Sequence, residues 1–189
     1  MMTESTREIL KKRNQLSSGQ YIDYSAKICQ KIVALSEYRN AENLLMFYPY
    51  LGEVNVLEIA INAFSLGKNV YFPKVTSSTD MEFVKVSRLS EFREGFKGIK
   101  EPVGNELFDK NNIRQNTIMI LPGSSYDFYG NRTGYGKGYY DRYLENCREH
   151  IIKIGVCFEL QMLDKIENVK PTDIPMDYVV HENNIVRSN

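Results

Sequence analysis

The sequence predicts an α/β protein: a three-layer sandwich with a largely parallel or mixed central sheet, in a single domain over residues 1–189. Two observations predict it. Short, nearly continuous apolar runs alternate along the chain with amphipathic helical stripes, the pattern of buried strands joined by crossover helices. The chain is also long enough to bury a substantial core without disulfides or structural metal, and 42% hydrophobic with 25% charged residues is an ordinary globular balance.

Taken in order, residues 4–16 predict a short polar helix whose apolar edge is Ile9, Leu10 and Leu16. Ser17 and Ser18 cap a second helix, with Tyr21, Tyr24, Ile28, Ile32 and Leu35 at helical spacing. The run NLLMFYPY, stopped by Pro49, reads as a buried strand. Val54, Leu57, Ile61 and Phe64 share a helical face, with Gly67 placed to end that helix. NVYFPKV and MEFVKVS are two further strands around a polar turn at residues 76–80. Residues 91–116 are loop-rich, and TIMILPG is another buried strand. GYYDRYLENCREH sets Tyr140, Tyr143, Leu144 and Cys147 along one helix face, and IIKIGVCF and DYVVHENNIVRS close the chain as strands.

Several function classes drop out. Twenty-four basic residues balance 24 acidic ones, so the basic field of a general nucleic-acid binder is absent. Cys29, Cys147 and Cys157 are far apart and lack C-x-x-C spacing, which fits small buried side chains in a reducing compartment and argues against zinc. The N-terminal segment has no apolar signal core, and no apolar run reaches the roughly 18 residues of a membrane span. A cytoplasmic, soluble protein is expected, as a monomer, with no nucleic-acid or membrane partner.

The stretch LPGSSYDFYGNRTGYGKGYYDRYL, residues 121–144, concentrates the chemistry. Four of the chain's 12 glycines lie between Gly130 and Gly138, with Arg132 and Lys137 among them. It is not a Walker A motif, because Gly138 stands where a Ser or Thr should hold magnesium. Nor is it a dinucleotide fingerprint, since Gly134, Gly136 and Gly138 are spaced G-x-G-x-G. The physics is nevertheless that of phosphate binding: small residues let backbone N–H groups converge on phosphate oxygens, Arg132 grips bidentately, and Lys137 follows developing charge. Asp141 is placed to hold magnesium against those phosphates. A flexible connection, with Asp141 merely favouring the helix dipole, is the plainer alternative.

The whole string resembles the signature of 5-formyltetrahydrofolate cyclo-ligases, with Tyr126 to Asp141 matching the F/Y-D-x-x-G-x-R-x-G-x-G-x-G-Y-Y-D core. GEV at 52–54, FPKV at 72–75, MEFVKV at 81–86, GIKEPVG at 98–104 and IPMDYVV at 174–180 follow in the family's order, so the likeness covers nearly the whole chain. The resemblance implies conversion of 5-formyltetrahydrofolate to 5,10-methenyltetrahydrofolate with ATP and Mg²⁺, through phosphorylation of the formyl oxygen and ring closure by N10. By matching positions it implies an ATP loop of Arg132, Thr133, Gly134, Tyr135, Gly136, Lys137, Gly138, Tyr139 and Tyr140, with Arg132 and Lys137 catalytic. It assigns Asp141 and Asp177 to the metal, and Glu53 and Tyr48 to the folate. Asp177 also reads as a polar residue opening a strand, and Tyr48 as a strand-end core aromatic.

One departure stands out. The family's first helix carries a K-x-x-x-R-like pair that reaches the nucleotide; here Arg7 is present but Thr3 replaces the lysine, with Lys11 and Lys12 a turn further on. The resemblance therefore assigns Arg7 to ATP. A folate- or nucleotide-binding homologue with reduced or no turnover is the alternative function. His150 and His181 are isolated and read as strand-edge residues.

Overall fold

The chain opens with two helices, α1 (Glu4–Arg13) and α2 (Ser18–Ala34), in a computed structural model that describes residues 4–95, 98–113 and 115–188. The Ser17 side chain accepts from the Gln20 amide while the Gln20 side chain accepts from the Ser17 amide, a reciprocal cap that fixes where α2 starts. After α3 (Ser36–Asn40) the chain enters β1 (Asn43–Leu45), α4 (Leu57–Ser65), β2 (Asn69–Val75), β3 (Met81–Val86) and a short hairpin of β4 (Phe92–Glu94) and β5 (Lys100–Pro102). Then come β6 (Thr117–Pro122), β7 (Ser125–Asp127), β8 (Arg132–Thr133) and α5 (Tyr139–Leu144). β9 (Ile151–Val156), β10 (Met162–Leu163), β11 (Tyr178–Val180) and β12 (Ile185–Arg187) complete it.

Among the described residues the main sheet has seven strands in the order β12-β11-β9-β6-β1-β2-β3. Its centre, from β11 to β2, is parallel, and the edges β3 and β12 are antiparallel. Alternation along the strands divides the core. Leu44, Phe72, Ile118, Ile120 and Ile154 pack on one face with Ile28 and Ile32 of α2 and Ile59 of α4. Leu45, Tyr71, Met119 and Leu121 face the other way, toward Tyr143 and Leu144 of α5. The expected three-layer sandwich with a mixed, mainly parallel sheet is the fold observed.

The differences from the sequence reading are local. α4 begins at Leu57 and buries Ile59, Ala60 and Ala63, whereas Ile61 is 55% exposed. The stripe expected through Val54 and Ile61 was drawn by size: Val54 is buried before the helix starts, and within it the alanines let the backbone lie close to the sheet. Gly67, at φ +69°, does stand just beyond the helix end. The loop-rich segment hides the β4–β5 hairpin, too short for period-2 alternation to reveal. The connection after β6 is not open loop either, because β7 pairs with β8 antiparallel and with β10 parallel.

Candidate active site

Parallel strands gather their following connections at their carboxyl ends, and two such connections meet here: residues 46–56 after β1, and the glycine-rich segment after β6. Between them lies a cavity of about 630 Å³, lined by Glu53, Pro122, Gly123 and residues 132–142, and on the far side by Arg148 and residues 170–174.

Glu53 is presented by a tight turn. Its amide donates to the Tyr50 carbonyl (3.1 Å), and Leu51 (φ +46°) and Gly52 (φ +75°) both lie in the left-handed region between them. The Tyr50 amide donates to Glu53 Oε2 (3.1 Å), and the side chain is otherwise closed in, 8% exposed. Burial pushes its carboxyl up to about 7 from an ordinary 4.5, against the smaller opposing pulls of the Tyr50 amide and the Arg13 charge.

The glycine segment is built around Asp127, which is fully buried. Its Oδ1 accepts from the Tyr129 and Asn131 amides (3.0 and 2.9 Å), and its Oδ2 from the Asn131 side chain (2.9 Å) and the Ile166 amide (2.8 Å). Gly130, at φ +80°, has no room for a side chain: a Cβ would fall 2.4 Å from the Met176 carbonyl oxygen and 2.3 Å from Ser188 Oγ. Gly136 (φ +79°) is a glycine for conformation alone, with nothing within 4 Å of a notional Cβ. Gly138 (φ +63°) then turns the chain into α5, whose start is tied to the β2–β3 turn by bonds from Tyr139 Oη to Ser78 O (3.0 Å) and from Arg142 Nε to Thr79 O (2.9 Å).

Arg132 Nη2 reaches both carboxylate oxygens of Asp141 (3.2 and 3.1 Å) and Nη1 reaches Pro122 O (3.3 Å), while the guanidinium lies 5.5 Å from the centre of the Tyr140 ring. Burial, with Glu53's charge adding to it, drives the Tyr140 phenol well above its usual range. Lys137 stands exposed at the crest of the loop. Since α5 has only six residues, its dipole is weak, and these side chains supply most of the positive charge.

The structure thus brings Glu53 and the whole of residues 132–141 to one cavity, and leaves three expected site residues outside its lining. Tyr48 packs on Phe92, ring centres 5.0 Å apart, with Lys100 Nζ 5.5 Å from its ring centre. Asp177 is separated from Asp141: it bonds Lys153 through Nζ (2.8 Å) and the backbone amide (2.6 Å), in a second cleft of about 1070 Å³ at the amino ends of β6 and β9. Asp177 directly precedes β11, at the opening of that strand. Arg7 is exposed on α1, because Thr6, Ile9 and Arg13 form the buried face at helical spacing. Thr3 lies outside the described residues.

The sequence reading missed Arg13. This side chain is 3% exposed, and its Nη2 donates to the Leu51 carbonyl (2.6 Å) and to Tyr135 Oη (3.2 Å). The α1 cation that meets the loop is therefore Arg13, six residues beyond Arg7. Its spacing, four residues after Ile9 on the same face of α1, was the available signal.

The 5-formyltetrahydrofolate cyclo-ligase family profile matches residues 3–182. The chain belongs to this family. A probable 5-formyltetrahydrofolate cyclo-ligase of Schizosaccharomyces pombe is 30% identical, over 94% of this chain and 98% of that one. The 5-formyltetrahydrofolate cyclo-ligase of mouse is 28% identical, over 93% and 90% respectively. The solved structure of Aquifex aeolicus 5,10-methenyltetrahydrofolate synthetase superposes with a TM-score of 0.85 at 29% identity, covering 97% of this chain and 91% of that one. The cyclo-ligase family resemblance read from residues 121–144 therefore holds across the chain. No helix among the described residues is long and apolar enough to cross a membrane.

Of the four carboxylates that line the cavity (Glu53, Asp141, Glu145 and Asp173), Asp141 is the one at the end of the glycine loop, placed to meet a divalent metal. No group of three His, Cys, Asp or Glu side chains suited to a metal occurs among the described residues. That donor set fits magnesium, which keeps most of its waters and usually binds through one or two carboxylates plus substrate phosphates. It does not fit a metal held by protein alone.

Proposed function

We propose that this chain converts 5-formyltetrahydrofolate to 5,10-methenyltetrahydrofolate, consuming ATP and releasing ADP and phosphate. The observation that carries the reading is the meeting of Glu53 with residues 132–141 in one cavity, in a chain of this family. The formyl oxygen is a poor leaving group. Transfer of the γ-phosphoryl to that oxygen makes the formyl carbon electrophilic, N10 attacks it to close the ring, and the oxygen departs with the phosphate. No protein nucleophile is needed.

Each residue then has a defined task. Glu53 accepts from the N–H edge of the pterin, and its low-dielectric surroundings strengthen that bond. Arg132 and Lys137 sit where charge grows on the transferring group, and positioned cations are the main protein contribution to phosphoryl transfer. The Tyr140 ring, 5.5 Å from the Arg132 guanidinium, helps to keep that side chain in place. Asp141 is the residue to hold Mg²⁺, which would supply neutralisation of the phosphate oxygens.

Mixing the protein with Mg-ATP and 5-formyltetrahydrofolate and following the near-ultraviolet absorbance of the methenyl product tests the proposal directly. Folate binding without ADP in a single-turnover quench would make the protein a binder and defeat the catalytic reading.

A further inference from the structure

We infer that Arg13 couples the two halves of the site, so that occupancy of the folate side tightens the nucleotide side and the reverse. The inference rests on the function proposed above.

The argument begins with what one nitrogen does. Nη2 of Arg13 has two hydrogens, one directed at the Leu51 carbonyl and the other at Tyr135 Oη, across 38 and 122 residues of sequence. Leu51 belongs to the turn that presents Glu53 and carries a left-handed φ of +46°, a conformation a leucine keeps only when its surroundings hold it. Next to it, Gly52 lies so close to the end of α1 that a Cβ would meet Oδ1 of Asn14, the residue after the helix, at 3.1 Å, and Arg13 Nε at 3.8 Å. Arg13 is also near enough to Glu53 for its charge to draw that carboxyl downward against burial. α1 therefore grips the folate-side turn through its backbone and its charge together.

On the other side the grip is a single point. From Gly134 to Lys137, among the described residues, the crest of the loop has one hydrogen bond to the rest of the protein, the bond from Arg13 to Tyr135 Oη. Tyr135 is flanked by Gly134 and Gly136, and its ring is 50% exposed. A crest so joined takes its position from Arg13, and Arg13 takes its own from the Leu51–Glu53 turn. Ordering either end spares part of the entropy of ordering the other, which is positive coupling without a large movement. Arg13 is a positioning residue in this scheme; it acts through Tyr135 and Glu53 rather than on reacting atoms.

The test is calorimetric titration of a non-hydrolysable ATP analogue with Mg²⁺, alone and at saturating 5-formyltetrahydrofolate, in the unaltered protein, Tyr135→Phe, Arg13→Met and the double variant. Coupling typically amounts to about 5–150-fold in affinity. A factor above about 5 is expected in the unaltered protein, equal when titrated in the opposite order, and a fall toward 1 in each single variant. The double variant should lose nothing further. Tyr135→Phe removes one oxygen from a half-exposed ring, so it reads the bond even if Arg13→Met fails to fold. A general loss of structure lowers affinity with and without folate alike and leaves the ratio unchanged. Independent binding in the unaltered protein, or an undiminished factor in Tyr135→Phe, would overturn the inference. Failure of the unaltered protein to bind either ligand would instead sink the proposed function.

Discussion

Replacing Glu53 with glutamine should make the protein more stable above neutrality, in a way that vanishes in acid. The carboxyl titrates at about 7 in the folded chain against an ordinary 4.5. Between those values the folded state holds a proton that the unfolded state has lost, so stability falls as pH rises through the window. At about 1.4 kcal/mol per pH unit the full cost, reached above pH 7, is about 3 kcal/mol. Glutamine keeps the shape and retains an oxygen for the Tyr50 amide, so this cost disappears. For a chain of this size the gain corresponds to about 6–12 °C in Tm at pH 8, and to nearly none at pH 4.5. The assay is urea unfolding of both proteins every half unit from pH 4.5 to 8, reading the difference between them. The difference matters because His181, whose pKa burial lowers, contributes the opposite slope below 6.5 in both proteins. Parallel curves would refute the reasoning, since Glu53 would then be ionised in the fold as it is in water. The same variant should bind folate more weakly by about 1–3 kcal/mol, the cost of leaving a buried pterin N–H group poorly matched.

Other expectations follow from the glycine segment. Lys137→Ala should lower kcat about 100- to 1,000-fold with little change in folate affinity, the usual effect of removing one donor aimed at transition-state charge; a change confined to KM for ATP would make it a ground-state contact. Product formation should cease on exhaustive chelation of divalent cations and return with Mg²⁺, and persistence would take Asp141 out of its metal role. Gly130→Ala should cost well over the about 1–3 kcal/mol of a strained φ, because its Cβ meets a backbone oxygen, whereas Gly136→Ala should stay within that range. Thermal unfolding of the two variants side by side decides between conformation and contact.

Sheet and helices were legible where one periodicity ran long enough. β2, β3, β6 and β9 each carry six or seven residues of consistent pattern, and the Ser17 cap announced α2. α4 misled because its packed face is alanine, whose contribution is closeness and not area. The β4–β5 and β7–β8 hairpins involve strands of two or three residues, and only the tertiary pairing distinguishes them from loop. Within the site, the glycine loop and Asp141 were visible because their chemistry is contiguous. Glu53 came from a three-residue match to a family pattern, and the physical reason for its prominence, burial beside Tyr140 and Arg13, exists only in the fold. Arg13 escaped because, in a charge-rich helix, its spacing from Ile9 was a faint sign of burial.

The Arg132–Asp141 pair shows how far one contact shifts the meaning of a motif. Read along the chain, an arginine and an aspartate nine residues apart are two separate instruments, one for phosphate and one for metal. In the fold they neutralise each other through both carboxylate oxygens, with the Arg132 side chain only 8% exposed. A carboxylate so engaged is a poor free-standing metal ligand, and a guanidinium so engaged is a poor anion trap. On the proposed function, Mg-ATP would bring both complements at once: its metal would offer Asp141 a better partner than Arg132, and its phosphates would offer Arg132 a better partner than Asp141. Exchange with the complete Mg-ATP would leave neither charge unpaired in a buried place, whereas free ATP or free metal would strand one of them, at a cost of several kcal/mol for a buried ion. Arg132→Ala should therefore raise affinity for the metal alone, because it frees Asp141, while lowering affinity for Mg-ATP. Mn²⁺ binding followed by paramagnetic relaxation, with and without nucleotide, separates the two effects. If metal and Mg-ATP weaken together, the ion pair is scaffolding for the loop and the exchange does not occur.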